Sequence, residues 1–346
     1  MLVGCGHIGM EHLNDIYFRD NVRIEAVVDA DQKTAEMAFK RSGAVRWGTD
    51  YRPFLEDPNI DIVIIATYTD SHLPILQDCL LHHKHVLCEK PIANSYEDGR
   101  AFVEAVKTAS TKVLVAHILR HNQSYRKMHD ILQGGAVGEV KLIRMSQNHH
   151  AKDWSRYCRL LKDCSPAVDC GVHYYDIAQW LVGSPIVEVS GIGTKTQPDV
   201  PRENYTLVSF KMANGCIGYY EAGWGQSMRA GNVKEFIGTK GRVTLEMQAQ
   251  RGQDSEEGDL ITVYQSDTGE YELFNLHAEY KDMYAQLETL IHMIEEDEAG
   301  NPTIDEVWSA FRVALAAERS IATGEIKVSH EETLAITAVR STVLHA

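Results

Sequence analysis

The chain has 346 residues, and its 49 Asp and Glu against 34 Lys and Arg give a net charge of −15, which repels nucleic acid and anionic membrane and favours a small, weakly charged ligand. With 44% hydrophobic and 24% charged residues it has the balance of a soluble globular protein, long enough for two domains with separate cores. No apolar run reaches the roughly 18 residues of a membrane span, and no basic region followed by an apolar core opens the chain, so the expected location is cytoplasmic. The seven cysteines are scattered, odd in number and without a C-x-x-C pair, which argues against a disulfide scaffold. Cys158, Cys164 and Cys170 are evenly spaced but match no zinc pattern, so no metal is expected.

The chain opens Met-Leu-Val and then Gly4-Cys-Gly6-His7-Ile8-Gly9, a G-x-G-x-x-G pattern between an apolar strand end and a helical pattern through Leu13 and Ile16. A second apolar strand, Val22 to Val28, closes on Asp29, at the spacing from Gly9 that lets a carboxylate accept hydrogen bonds from an adenosine ribose. Gly4 permits the tight turn, Gly6 lets backbone N–H groups approach a pyrophosphate, Gly9 lets helix and strand pack closely, and the helix N-terminus offers its unpaired donors. Asp29 would repel a 2′-phosphate, and no arginine follows it, so NAD is preferred over NADP; Lys33 argues the other way. Only three residues precede Gly4, fewer than the roughly five or six of an ordinary strand. A natural start upstream, or a trimmed chain, is therefore expected.

The alternation continues with a helix over 31–41 capped by Asp31, a short strand at Val45 and Trp47, a helical turn from Tyr51 to Glu56, and a strand from Asp61 to Ala66 that is apolar on both faces. Thr67 to His72 form the next strand-to-helix loop. His82, His83 and His85 follow at the end of a helix leading into a strand, where they are expected to be solvated or to compensate its dipole. Val86 and Leu87 then make a strand ending at Cys88-Glu89-Lys90-Pro91; Pro91 cannot donate to a ladder, so Lys90 is expected at the strand's carboxyl end, the rim where open parallel sheets bind ligands. Taken alone, such a lysine is more often a surface residue. Ser95-x-x-Asp98 caps a helix to about Ala109, and Val113 to Ala116 is another strand. Repeated strand and helix with short connections means a doubly wound parallel sheet, a Rossmann domain over 1–119.

The motifs GCGHIG with Asp29, IIATYTDSH at 64–72, CEKP at 88–91 and VDCGVHYYD at 168–176 resemble those of the Gfo/Idh/MocA family, the oxidoreductases grouped around glucose-fructose oxidoreductase and inositol 2-dehydrogenase, and with the helical C-terminus the resemblance spans nearly the whole chain. It implies that the 67–72 loop lines the cofactor, that the lysine of the EKP motif is catalytic, and that an aspartate and a histidine four residues apart complete the site. The implied cofactor set is Gly4, Gly6, His7, Ile8, Gly9, Asp29, Thr67, His72, Glu89 and Lys90, and Arg120 is implied to face the substrate, although taken alone such an arginine is more often a surface residue or a helix-end partner. Two departures, Tyr68 in place of the commoner proline and Cys164-Ser165-Pro166 in place of a glycine-rich approach, spare the catalytic positions but bear on substrate identity.

The second domain is expected over 120–346, with the C-terminal helix available to pack back on the first. Ser124 to Leu132 reads as a helix and Glu139 to Gln147 as the new domain's first strand, with His149 and His150 after it as further candidates that their spacing does not require. Residues 167–182 have helical periodicity, with Val168, Val172, Tyr175, Ile177 and Leu181 facing a core. Asp169, His173, Asp176 and Trp180 stack along another face, an acid/base stripe in which Asp176 is a supporting group. Segments 186–193, 204–212, 216–222, 232–238, 242–247, 259–265 and 270–275 alternate and are rich in Val, Ile, Tyr and Thr, so the fold class is α/β with a large, mostly antiparallel open sheet in the second domain. Residues 248–258 read as a surface loop. Trp224, placed in a loop after a strand, is equally suited to stacking on a sugar ring and to packing. Two helices finish the chain, 278–297 and 304–323, the latter opened by Thr303-x-x-Glu306. The resemblance implies that the open sheet is used for self-association, as a homodimer or homotetramer.

These features point to an NAD-dependent oxidoreductase. The substrate implied by resemblance is a secondary hydroxyl of an inositol, a sugar or a sugar derivative. His173 is assigned as base, Asp169 orients it, and Lys90 donates to the reacting oxygen, so that Lys90, Arg120, Asp169 and His173 form the substrate set. Two other readings stay open: a redox-neutral glycosidase that oxidises, eliminates and reduces again, and a non-catalytic sugar or cofactor sensor on the same fold, which would be expected to lack the lysine or the histidine.

Overall fold

The computed structural model describes residues 1–248, 258–277 and 281–328. Strands β1 (Leu2–Val3), β2 (Ala26–Val28), β3 (Arg46–Gly48), β4 (Ile62–Ile65), β5 (His85–Cys88) and β6 (Val113–Val115) alternate with helices α1 (His7–Ile16), α2 (Gln32–Ser42), α3 (Arg52–Leu55), α4 (His72–Leu81) and α5 (Tyr96–Thr108). Then come α6 (Gln123–Gln133), β7 (Val140–His150), α7 (Trp154–Asp163), α8 (Pro166–Asp169), α9 (Gly171–Val182) and seven strands: β8 (Ile186–Thr194), β9 (Tyr205–Met212), β10 (Ile217–Gly225), β11 (Gly231–Gly238), β12 (Gly241–Glu246), β13 (Asp259–Gln265) and β14 (Tyr271–Leu276). Helices α10 (Met283–Glu295) and α11 (Ile304–Thr323) and strand β15 (Lys327–Val328) follow.

Two compact units result, one of residues 1–121 with 281–308, the other of residues 122–280 with 309–346. The first is built on a six-stranded parallel sheet in the order β3-β2-β1-β4-β5-β6. Its central strands read as unbroken apolar runs because both faces are covered; Val63, Ile64 and Ile65 are all buried. The chain reverses its direction of growth between β1 and β4, which places the switch point of the sheet between the loops that follow those two strands. Local signals set the helix ends: the Asp31 carboxylate accepts from Thr34 N at 2.9 Å, Ser95 Oγ accepts from Asp98 N at 3.1 Å, and α2 stops at Gly43 in the left-handed region. A helix from the far end of the chain completes this core, since Leu287, Leu290 and Met293 of α10 pack with Leu2, Leu13, Ile16 and Leu114. The expected first domain ended at 119, and nothing local in the sequence marks α10 as part of it. Its apolar stripe would serve either core.

The second unit holds a nine-stranded sheet in the order β14-β13-β12-β11-β7-β10-β9-β8-β15, antiparallel at every pairing except β7 with β10. Helices α6, α8 and α9 pack on one face. The other face presents exposed Ile192, Ile217, Val233, Tyr271 and Leu273.

Three expectations need correction here. The strand expected from Val22 begins at Ala26, although Ile24 O still accepts from Val45 N at 3.1 Å. The single helix expected over 167–182 is two, α8 and α9, with Cys170 between them; Pro166 starts the first, and the His173 amide bonds Cys170 O, three residues back, so the turn tightens at that point. Helix α7 was not expected at all; only Leu161 in it is buried. The surface loop read at 248–258 falls, for residues 249–257, outside the described residues, as do residues 278–280 of the helix read at 278–297; α10 itself is capped by Asp282, whose carboxylate accepts from Ala285 N at 2.8 Å.

Candidate active site

In the first unit, the sequence-predicted residues gather at the carboxyl ends of the parallel strands. Gly4 follows β1 with φ +93°, and a Cβ there would lie 2.5 Å from Ala66 O; one at Gly9 would lie 1.9 Å from Gly4 O, so the turn closes only with glycine at both positions. At Gly6 a Cβ would meet nothing within 4 Å, which leaves open space in front of the α1 N-terminus where His7 and Ile8 begin the helix. A bare backbone, an open approach and a helix N-terminus without a side-chain cap would suit a pyrophosphate. We expect Gly9→Ala to force a backbone shift costing about 1–3 kcal/mol, read as a lower Tm and a weaker NAD Kd in calorimetry.

Asp29, directly after β2, accepts from Cys5 N through Oδ2 at 2.8 Å and from Asp31 N through Oδ1 at 2.9 Å. The carboxylate thus braces the glycine turn, and each oxygen retains a lone pair for a ribose hydroxyl. The residues present therefore fit NAD. Burial first, and then the Asp29 carboxylate, push the neighbouring Cys5 thiol up to about 12 against the pull of the Val28 carbonyl, so it stays protonated and unreactive. Hydrogen bonds to an ionised group are worth about 1.5–3 kcal/mol, so Asp29→Ala should raise the Kd for NAD by about 10- to 100-fold and narrow its preference over NADP, both measurable by titration.

The loop after β4 sits on the other side of the switch point. There Ser71 Oγ donates to Thr67 Oγ1 at 2.8 Å, and His72, 1% exposed, has Nε2 3.2 Å from Thr67 O and Nδ1 3.0 Å from Pro91 O. Burial pushes the His72 ring's pKa down, while the Thr67 and Pro91 carbonyls oppose it. The ring thus braces the 67–72 loop against the segment just after Lys90. Lys90 stands two residues beyond β5 and is half-buried, as the proline after it required; the Lys90–Pro91 peptide is cis. Arg120, 2% exposed, donates from Nη1 to Asn301 Oδ1 at 2.9 Å and to Glu306 Oε1 at 3.1 Å, so it also ties the end of β6 to the start of α11.

The second unit holds Asp169 and His173. Asp169 ends α8, whose N-cap Ser165 donates to Glu318 of α11, and His173 lies in the first turn of α9; both are half-buried. Cys170 Sγ donates to Asp169 Oδ2 at 3.7 Å. Farther along the stripe, Asp176 is buried, and Trp180 stacks on His129 at 4.3 Å, so this end of the stripe packs against α6.

Other residues near this pair were missed in the sequence or given a different setting. Tyr157 of α7 has its hydroxyl 3.0 Å from His149 Nδ1; burial pushes that hydroxyl's pKa up, Arg156 pulls it down, and Cys170 and Asp169 push it up again, which puts the phenol in the neighbourhood of Asp169. The apolar positions Trp154, Cys158 and Leu161 after Asp153 were the signal that would have revealed α7. Lys234 of β11 is wholly buried, with its ammonium 4.3 Å over the Tyr174 ring and donating to Ser146 O at 3.2 Å; burial drives its pKa well down, opposed by Cys170 and Asp259. Trp224 is not in a loop. It lies within β10, 1% exposed and 5.5 Å from the Tyr157 ring, so its role is packing. Among the described residues, no cluster of three His, Cys, Asp or Glu is placed to hold a metal, and no helix is long and apolar enough to cross a membrane.

Comparison with known proteins agrees with this fold. A family described as an oxidoreductase family with an NAD-binding Rossmann fold matches residues 1–117, and the GFO/IDH/MocA C-terminal domain matches residues 125–244. The chain is 22% identical over 329 residues to a myo-inositol 2-dehydrogenase of Thermotoga maritima, covering 92% of this chain and 95% of that protein. It is 26% identical over 333 residues to inositol 2-dehydrogenase 2 of Saccharopolyspora erythraea, covering 93% of each. The fold also matches the crystal structure of an oxidoreductase from Agrobacterium radiobacter in complex with NAD+, L-tartaric acid and magnesium, with a TM-score of 0.81 and 19% identity over 95% of this chain and 97% of that one.

Proposed function

Because the chain belongs to the Gfo/Idh/MocA family of NAD-binding oxidoreductases, we propose that it oxidises a secondary hydroxyl of an inositol, a sugar or a sugar derivative, with Lys90, Asp169 and His173 handling the proton. The observation behind this reading is the placement of Lys90 at the end of β5, on the same sheet edge as the glycine turn after β1 and the loop after β4. The relatives' names, which specify inositols, support the substrate class.

NAD, when bound, supplies the acceptor for the carbinol hydrogen. Gly4, Gly6, Gly9 and the α1 N-terminus would hold its pyrophosphate and Asp29 its ribose, with Thr67 and His72 shaping the neighbouring wall. The residues of the chain supply the rest. His173 takes the hydroxyl proton. Asp169 favours the imidazolium that results and fixes the ring, and Lys90 donates to the reacting oxygen as negative charge grows on it. Arg120 steadies the β6 end and faces the substrate. The reading includes a cytoplasmic enzyme that assembles as a homodimer or homotetramer through the open sheet face of the second unit, which sedimentation would check.

The test is nicotinamide absorbance with purified protein, NAD and a panel of inositols, aldoses, uronates and simple glycosides. NADH formed with one polyol supports the reading; glycoside cleavage without net NADH, or NAD binding with no turnover on any compound, overturns it.

A further inference from the structure

His12 lies one turn into α1, the helix whose N-terminus meets the glycine cradle, and it is wholly buried. An imidazole is a costly group to bury in a helix–sheet interface unless it has a partner there. The partner is specific: Nε2 is 2.9 Å from Glu89 Oε1, and since a carboxylate only accepts, Nε2 holds the proton. Glu89 is the residue before Lys90. Its own backbone is pinned, with N donating to Ile65 O at 2.9 Å, and on the far side of Lys90 the Pro91 carbonyl meets His72 Nδ1 at 3.0 Å. Lys90 is therefore held by fixed backbone on both sides, next to a carboxylate fixed by the cofactor helix.

We propose that His12 and Glu89 are positioning residues for Lys90: His12 locks the Glu89 carboxylate in place, and Glu89 is the counter-ion that keeps the lysine charged and aimed. The helix that cradles the pyrophosphate then also sets the proton donor. This rests on the reading of Lys90 as catalytic. It also gives Glu89 a job beyond cofactor contact.

Electrostatics agree. Burial alone pushes the Glu89 carboxyl up, but the His12 hydrogen bond and charge, followed by Lys90 and Lys281, bring it below the usual carboxylate range. The groups around Glu89 are His12 from α1, His72 from α4, Cys88 and Lys90 from its own strand end, and Lys281 ahead of α10. Burial pushes the His72 ring toward its neutral form and raises the Cys88 thiol well above its ordinary value. Without His12, burial prevails and Glu89 takes up a proton more readily. A neutral Glu89 no longer favours the Lys90 ammonium, the lysine's pKa falls, and the alkaline limb of the rate profile, which needs protonated Lys90, moves to lower pH.

The experiment compares His12→Leu, His12→Gln, Glu89→Gln and the double variant H12L/E89Q with wild type, using kcat/KM against pH and the NAD Kd from fluorescence titration. His12→Leu and Glu89→Gln should each lower kcat/KM by about 10- to 100-fold and move the alkaline limb to lower pH, with the NAD Kd of His12→Leu changed by less than about threefold. Because the pair acts as a unit, the double variant should be no worse than either single. His12→Gln, which keeps a donor, should recover part of the loss. If His12→Leu does not fold, Glu89→Gln carries the pH test alone. Unchanged rates, a loss with the alkaline limb in place, or a rate loss in His12→Leu matched by lost NAD affinity would make the pair a packing clamp and overturn the proposal. Lys90→Ala is run alongside: if it keeps full activity, the reading of Lys90 fails first; if it is inactive while His12→Leu and Glu89→Gln are normal, only the present proposal fails.

Discussion

Replacing His173 with alanine is expected to lower kcat/KM for the oxidised polyol by roughly 10² to 10⁴-fold, the ordinary worth of a general base, while the NAD Kd stays close to wild type. The expectation follows from where the side chain sits. His173 is in the first turn of α9 and Asp169 ends the preceding helix α8. In the proposed role the imidazole takes the hydroxyl proton and the carboxylate favours the imidazolium that forms. Every residue assigned to NAD lies in the other unit, so loss of the imidazole should leave cofactor titrations unaltered. Steady-state rates across pH make the check: the acid limb should flatten in His173→Ala and persist in wild type. If NAD affinity falls in step with rate, the histidine is holding structure instead of moving a proton.

Lys90→Ala should be comparably severe, a loss of roughly 10² to 10³-fold in kcat, the usual cost of removing one donor to a developing oxyanion. Lys90→Arg should recover little of it, because a planar guanidinium cannot reproduce a compact ammonium held between a fixed Glu89 and a fixed Pro91. In the proposed role the lysine acts as charge builds on the oxygen, so the defect should appear mainly in kcat, with a smaller change in the substrate KM. A variant that loses substrate affinity while keeping kcat would reassign Lys90 to binding.

The first unit was the more legible part of the chain. The glycine pattern, Asp29 and the Lys90–Pro91 step are local in sequence and near strand ends, so period and turn chemistry were enough to place them. Asp31, Ser95 and Thr303 were readable for the same reason, since a cap acts within three residues of itself. The long, β-branched strands of the second unit declared themselves through alternation. What stayed hidden depended on distant partners. Helix α7 carried a readable signal in Trp154, Cys158 and Leu161 behind the Asp153 cap, whereas the Tyr157–His149 contact joins a helix to a strand end and had no local signal. Trp224 looked like a loop residue because glycines flank it, but β10 runs on through Gly225, paired with β7.

By itself, then, the sequence determined the α/β class, the glycine turn and Asp29 of an NAD-binding Rossmann domain, and the positions of Lys90 at a strand end and of Asp169 and His173 in a helical stretch, because each of these is written within about one turn or one strand of backbone. Tertiary structure alone decided that α10 joins the first core, that α8 and α9 are separate helices meeting at Cys170, and that His12 reaches Glu89 across 77 positions of chain. The physical reason is that an apolar stripe or a buried imidazole states only that it needs a partner. Which partner it finds depends on how strands far apart in sequence come to lie side by side.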